Sequence, residues 1–136
     1  MVKARYLLDT DWAVYYLRGK EPFVDNVKRY RQKGLAISVI SMAELYEGVF
    51  RSTGPKEKEA SLNDFLTGLS ILNVTKPVAR AFGRQRAELR KKGLLIGDLD
   101  LIIACTAQYH GLTVLTNNKK HYEKVLNPRK IISLET

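Results

Sequence analysis

The chain of 136 residues is short of soft metal ligands: it has one cysteine, Cys105, and two histidines, His110 and His121. A lone cysteine excludes an intrachain disulfide and any zinc cluster built on thiolates. Long apolar runs are missing too. No segment approaches the ~20 apolar residues of a membrane span, and the apolar stretch in MVKARYLLDTD is too short for a signal peptide. A cytoplasmic protein with no membrane partner is expected. Acidic residues are outnumbered, with 14 Asp and Glu against 23 Lys and Arg, so the formal charge is +9 and the pI about 9.7. That balance favours an anionic partner, with nucleic acid ahead of an acidic protein segment or a membrane surface. Internal repeats and low-complexity tails are absent.

What the chain does have is 45% hydrophobic residues in a length suited to one domain spanning residues 1–136. Apolar runs of strand length (ARYLL, LAISVI, LSILNV, LTVLT and KIISL) alternate with longer amphipathic segments. This alternation predicts an α/β fold, a mostly parallel central sheet with helices on both faces. A first helix is expected over about 11–18 and a second over about 23–33, ending at Gly34. Ser41 and Glu44 match the S-x-x-E capping box, which predicts a helix starting at Ser41. STGPKEKEA reads as a polar loop, the one flexible insertion, leading into a helix that ends near Gly68. A strongly basic helix follows from Pro77 to Lys92. Asp98 is expected to cap the buried helix LDLIIACTAQYH, which Gly111 closes; Cys105 lies in its apolar run and is expected in the core. NNKKHYEKV reads as a loop and short helix.

Against this basic background, acids stand at or near the downstream ends of apolar runs: Asp9 in YLLDTD, Glu44 in LAISVISMAEL, and Asp98 with Asp100 in IGDLDLIIA. Carboxylates beside apolar elements are costly unless paired, and a divalent cation is one such partner. Functional groups in open parallel sheets gather beyond the carboxyl ends of the strands, where Asp9, Glu44, Asp100, Thr116 and Asn118 all converge in this reading. Hard oxygen ligands without a Cys or His cluster suit Mg²⁺ or Mn²⁺, and such a site can activate water against a phosphodiester. Each acid also has a structural role open to it: Glu44 in its capping box, Asp98 as a cap, Asp9 and Asp100 as anions at helix N-termini.

Four segments in order, LLDTDWAVYYLRG, ISVISMAELYEGV, IGDLDLIIACTA and LTVLTNNKKHYEKV, span nearly the whole chain and resemble the PIN-domain ribonucleases, specifically the VapC-type toxins of toxin-antitoxin pairs. The resemblance implies a three-layer PIN fold and an endoribonuclease that hydrolyses RNA with Mg²⁺ or Mn²⁺. It implies that Asp9, Glu44 and Asp100 are the catalytic metal ligands, with Asp98 an extra neighbour. Thr10 and Thr116 would orient carboxylates. Where the family often carries a fourth acid this chain has Asn118, with His121 nearby. Asp11 stands where many relatives have Asn, and would add a ligand or cap the first helix. The implied partners are RNA, a cognate antitoxin and a second copy of the chain. Arg80, Arg84, Arg86 and Arg90, with Lys119, Lys120 and Lys124, are candidate phosphate contacts. Trp12, Tyr15, Tyr16, Tyr46 and Phe50 are split between core packing and an antitoxin groove. Two other readings share the motifs: a PIN nuclease of RNA processing with no antitoxin, and a PIN-like domain that binds RNA or protein without cutting.

Overall fold

The computed structural model describes residues 2–134. Five strands, β1 (Tyr6–Leu8), β2 (Leu35–Ser38), β3 (Ser70–Leu72), β4 (Thr113–Leu115) and β5 (Ile131–Ile132), pair in parallel in the order β3-β2-β1-β4-β5. Each expected apolar run supplies one strand. Residues on alternate strand positions point to opposite faces. Leu8, Ile37 and Leu115, in register across the three central strands, face one core, while Leu7, Ala36 and Val114 face another.

On the first face pack α1 (Thr10–Leu17), α2 (Phe23–Gly34), α3 (Val39–Phe50) and α4 (Pro55–Leu66). On the second lie α6 (Asp98–His110) and α7 (Lys119–Tyr122), and α5 (Lys76–Lys92) packs against α6. The result is a three-layer α/β/α arrangement. Cys105 sits in the α5–α6 core, fully buried and unpaired, where burial pushes its thiol up to about 11. Gly34 ends α2 at φ 107°, and a Cβ there would collide with the Lys3 carbonyl, so only glycine fits this crossing of chain segments.

Three local expectations are corrected. α3 begins at Val39 with Ser38 as its N-cap, the Ser38 hydroxyl accepting from the Ile40 N–H at 3.0 Å. Ser41 is therefore inside the helix, its hydroxyl buried without a partner, and the Ser41–Glu44 capping box does not form. The PKEKEA segment is helical: Pro55 starts α4, as a residue whose missing N–H is harmless there, and Leu62 and Phe65 tie the helix down. Asp98 is the first residue of α6 and does not cap it; Gly97 holds that position without a side-chain bond.

Candidate metal centre

The strand order places a topological switch point between β1 and β4, because the chain steps from β1 out to β3 and then returns to build the other half on β1's free side. Asp9 follows β1 directly and Thr116 follows β4 directly. The Asp9 N–H donates to the Leu115 carbonyl at 3.0 Å, so the two strand ends are locked side by side. Asp9 also serves as N-cap of α1, one carboxylate oxygen accepting from the Thr10 N–H at 2.8 Å and the other from the Thr116 hydroxyl at 2.7 Å. It is 3% exposed. Burial, with the charge of Asp11 adding to it, pushes Asp9 up from 3.8 to about 7, against the pull of its hydrogen bonds.

Glu44 reaches this place from the second turn of α3. Released from any capping role, it accepts from the Thr10 hydroxyl at 2.7 Å. Thr10 thus stands between two acids: its N–H is on Asp9 and its hydroxyl on Glu44. Asp100 arrives from the other side in the first turn of α6, where the helix N-terminus favours an anion. Its Oδ2 lies 2.8 Å from His121 Nδ1 on α7. Thr116 Oγ1, besides donating to Asp9, accepts from the Asn118 N–H at 2.9 Å, which is the contact Asn118 makes here.

Asp11, expected as a further ligand or as the cap of α1, leaves the cap to Asp9, and it joins Asn117 and Tyr122 as residues central to the architecture. Asp11 accepts from the Trp12 N–H at 2.7 Å and from the Asn117 N–H at 2.8 Å. Burial raises its pKa, the two N–H groups oppose that, and the charge of Asp100 adds to it. Asn117 in turn accepts from the Trp12 indole at 3.0 Å and from the Leu134 N–H, and donates to the Leu134 carbonyl, clamping the segment after β4 to the α1 start and the segment after β5. Tyr122 is fully buried beneath the acids. Its hydroxyl is near enough to favour ionised Asp9, yet no hydrogen bond of acceptable geometry joins them, and it stays a buried donor without a partner. Burial and then the charges of Asp9, Asp100 and Asp11 hold that phenol far above its ordinary value. A polar tip at a core position of a short helix is the sequence signal for it.

Asp98 does not join the cluster. It turns outward to Arg86, with its Oδ1 2.9 Å from the guanidinium Nε, and its side chain is 60% exposed. Arg86 is accordingly occupied, whereas Arg80, Arg84, Arg90 and Lys120 are exposed and make no ion pair among the described residues; Lys119 approaches Glu123 at 3.7 Å. Trp12 is core, Tyr15, Tyr16 and Tyr46 pack partly buried against the core, and Phe50, 62% exposed, stacks its ring on Tyr46.

Among the described residues no three acid, histidine or cysteine side chains are drawn tightly enough around one point to form a ready-made cage. The acids are instead ranged along one edge: the charge of Asp11 acts on Asp9, that of Asp100 acts on Asp11, and Glu44 is tied in through Thr10. The donor set fits Mg²⁺ or Mn²⁺, being all oxygen, partly desolvated and backed by an unpartnered donor.

A parallel sheet that switches direction beside a buried aspartate, with further carboxylates from two helices, defines an acid-edged α/β domain of PIN type. The PIN domain family model matches residues 6–125. Ribonuclease VapC2 of Haemophilus influenzae is 36% identical over 124 residues, 90% of this chain and 92% of that protein. The tRNA(fMet)-specific endonuclease VapC of Salmonella typhimurium is 30% identical over 121 residues, covering 89% and 92%. In the crystal structure of VapBC2 from Rickettsia felis bound to a DNA fragment from their promoter, one chain superposes with a TM-score of 0.86 at 30% identity, covering 96% of this chain and 98% of that one. The chain belongs to the PIN domain family and, within it, to the VapC ribonucleases.

Proposed function

We propose that this chain is the endoribonuclease toxin of a VapBC-type pair, folded as one domain, and that Asp9, Glu44 and Asp100 hold its Mg²⁺ or Mn²⁺. The observation that carries the reading is Asp9, a buried carboxylate at the switch point that the fold desolvates without giving it a cationic side chain. When bound, the divalent cation supplies an activated water and offsets the charge that builds on the phosphodiester during displacement. The protein's own groups prepare the place. Thr116 and the Thr10 N–H fix both oxygens of Asp9, the Thr10 hydroxyl aims Glu44, and His121 holds Asp100. Asp11 and Asn117 keep the loop after β4 from drifting. Exposed Arg80, Arg84 and Lys120 offer backbone phosphates a path to the acids, with binding that weakens as salt rises.

Two partners complete the reading: a second copy of the chain and a cognate antitoxin. An open groove of about 260 Å³ between α1, α3 and α4 is lined by Val14, Leu17, Leu45 and Val49, with Arg18 and Lys58 at its rim and Glu44 among its walls. It suits an amphipathic, acidic segment whose presence would cover one of the ligands.

The test is cleavage of a tRNA, chosen because one relative is named for tRNA(fMet). Purified protein with Mn²⁺ should cut it, and both chelator and Asp9→Asn should abolish cutting while the fold survives. Cleavage that persists in either condition overturns the assignment.

A further inference from the structure

We propose that the amino edge of the sheet carries a second RNA site, a basic pocket in which Lys3, Arg5 and Lys130 hold backbone phosphates at a distance from the acids. The inference rests on the ribonuclease reading above for its choice of anion. An open cavity of about 420 Å³ lies where β1 and β4 begin, with Lys3, Arg5, His110 and Lys130 in its walls and no carboxylate among the described residues that line it. The segments that meet at this edge, 2–8, 27–36, 107–114 and 127–132, hold several Lys and Arg and no Asp or Glu. Like charges gathered without a counter-charge repel one another, and the place they form is complementary to an anion.

The backbone fixes the pocket. The Arg5 N–H donates to the Gly34 carbonyl at 2.9 Å and the Arg5 carbonyl accepts from the Thr113 N–H at 3.1 Å, so residue 5 is held between β2 and β4. Part of the charge has a structural reason: α6 ends beside the cavity, and Lys130 Nζ donates to the Gly111 carbonyl at 3.3 Å, where a helix C-terminus favours a cation. Lys3 and Arg5 have no such reason. They belong to no helix, are exposed, and enter no ion pair among the described residues. Arg5 offers a phosphate the two-pronged fork of a guanidinium and the lysines add point charges. Arg5 precedes Asp9 by four residues, ~13 Å along the strand, so a folded RNA is large enough to touch both edges. The carboxylates repel RNA until a cation neutralises them, and the amino edge supplies attraction that they lack.

The experiment is filter binding of a tRNA to the full chain in chelator, where binding is read without cleavage, over a range of salt concentrations. Three proteins are compared: wild type, a pocket variant with Lys3→Gln, Arg5→Gln and Lys130→Gln, and a control that loses the same charge elsewhere through Lys20→Gln, Arg51→Gln and Lys56→Gln. All six side chains are exposed, so both variants should fold. The pocket variant should bind at least ~10-fold more weakly, with the slope of log affinity against log salt flatter by ~2, while the control stays within about twofold of wild type. A pocket variant within twofold of wild type overturns the inference, and so does an equal loss in the control, which would make the effect one of net charge. A pocket variant that loses affinity for inorganic phosphate and keeps that for tRNA also overturns it, because the pocket would then take a free anion. Wild type that cuts no tRNA with Mn²⁺, while the pocket variant still loses its grip on tRNA, brings down the ribonuclease reading alone.

Discussion

Asp9→Asn offers a test in which stability and activity move in opposite directions. The aspartate is almost fully buried, and burial lifts its pKa from 3.8 to about 7. Because the folded state binds the proton more tightly than the unfolded chain, the associated stability is fully present below pH 3.8 and is lost as pH rises through about 7. A rise of that size corresponds to ~4 kcal/mol forgone by the metal-free protein once Asp9 is ionised. Asparagine stays neutral at every pH. Its single carbonyl oxygen keeps one of the two hydrogen bonds from the Thr10 N–H and the Thr116 hydroxyl, and losing the other costs about 1–2 kcal/mol. In chelator at pH 8 the variant should therefore be the more stable by ~2 kcal/mol, a Tm higher by roughly 5–8 °C for a chain of this size. At pH 5, where wild-type Asp9 is protonated, the order should reverse or vanish. Scanning calorimetry from pH 5 to 8 reads the crossing directly. Parallel curves, or a variant less stable throughout, would refute the claim that this carboxylate is held against the preference of the fold.

Mn²⁺ should raise the wild-type Tm by mass action, by ~2.7 kcal/mol at a hundredfold excess over Kd, and more at pH 8 than at pH 6 because Asp9 must shed its proton to ligate; equal shifts at both pH values in a thermal melt would contradict this. Glu44→Gln should cut RNA cleavage at least ~100-fold in a gel assay, while unfolding stability changes by less than ~1 kcal/mol, since Glu44 is half-buried and its one hydrogen-bond partner is Thr10. Replacing Arg80, Arg84 and Lys120 together by Gln should weaken RNA binding and flatten the slope of log affinity against log salt by up to ~2, measured by filter binding; an unchanged slope would place the phosphate path elsewhere.

The sheet was legible because its strands are nearly pure apolar runs, as buried parallel strands must be, and because helical segments separate them. Strand ends were not. LAISVI is apolar through Ile40, and such a run suits a strand or a buried helix equally. Ser38, whose hydroxyl caps the helix, decided it, and the more conspicuous Ser41 misled by sitting three residues before Glu44. Asp98 misled likewise, because Gly97 caps α6 and the acid was free to pair with Arg86 on α5, a contact that no local pattern announces. In α4 the mostly polar PKEKEA hid the start of a helix whose buried residues, Leu62 and Phe65, come only in its second half. The acids near strand ends were visible as acids out of place, but the Asp11–Asn117–Trp12 clamp joins residues more than a hundred positions apart and follows from packing alone.

A glutamate that closes a capping box has a structural reason to exist; Glu44 closes none, and its contact is the Thr10 hydroxyl, one residue from Asp9. An aspartate at a helix start has such a reason, and Asp98, paired with Arg86, has moved out of the site and into surface electrostatics. What remains at the carboxyl edge of β1 and β4 works against the stability of the metal-free fold: Asp9 desolvated, Asp11 raised toward neutrality, and a tyrosine hydroxyl with nothing to bond. On the reading proposed above, such a cluster of local violations at one edge is what a site for a divalent cation would carry. At pH 8 and without metal, asparagine at position 9 should give the more stable protein, and the chain carries aspartate there.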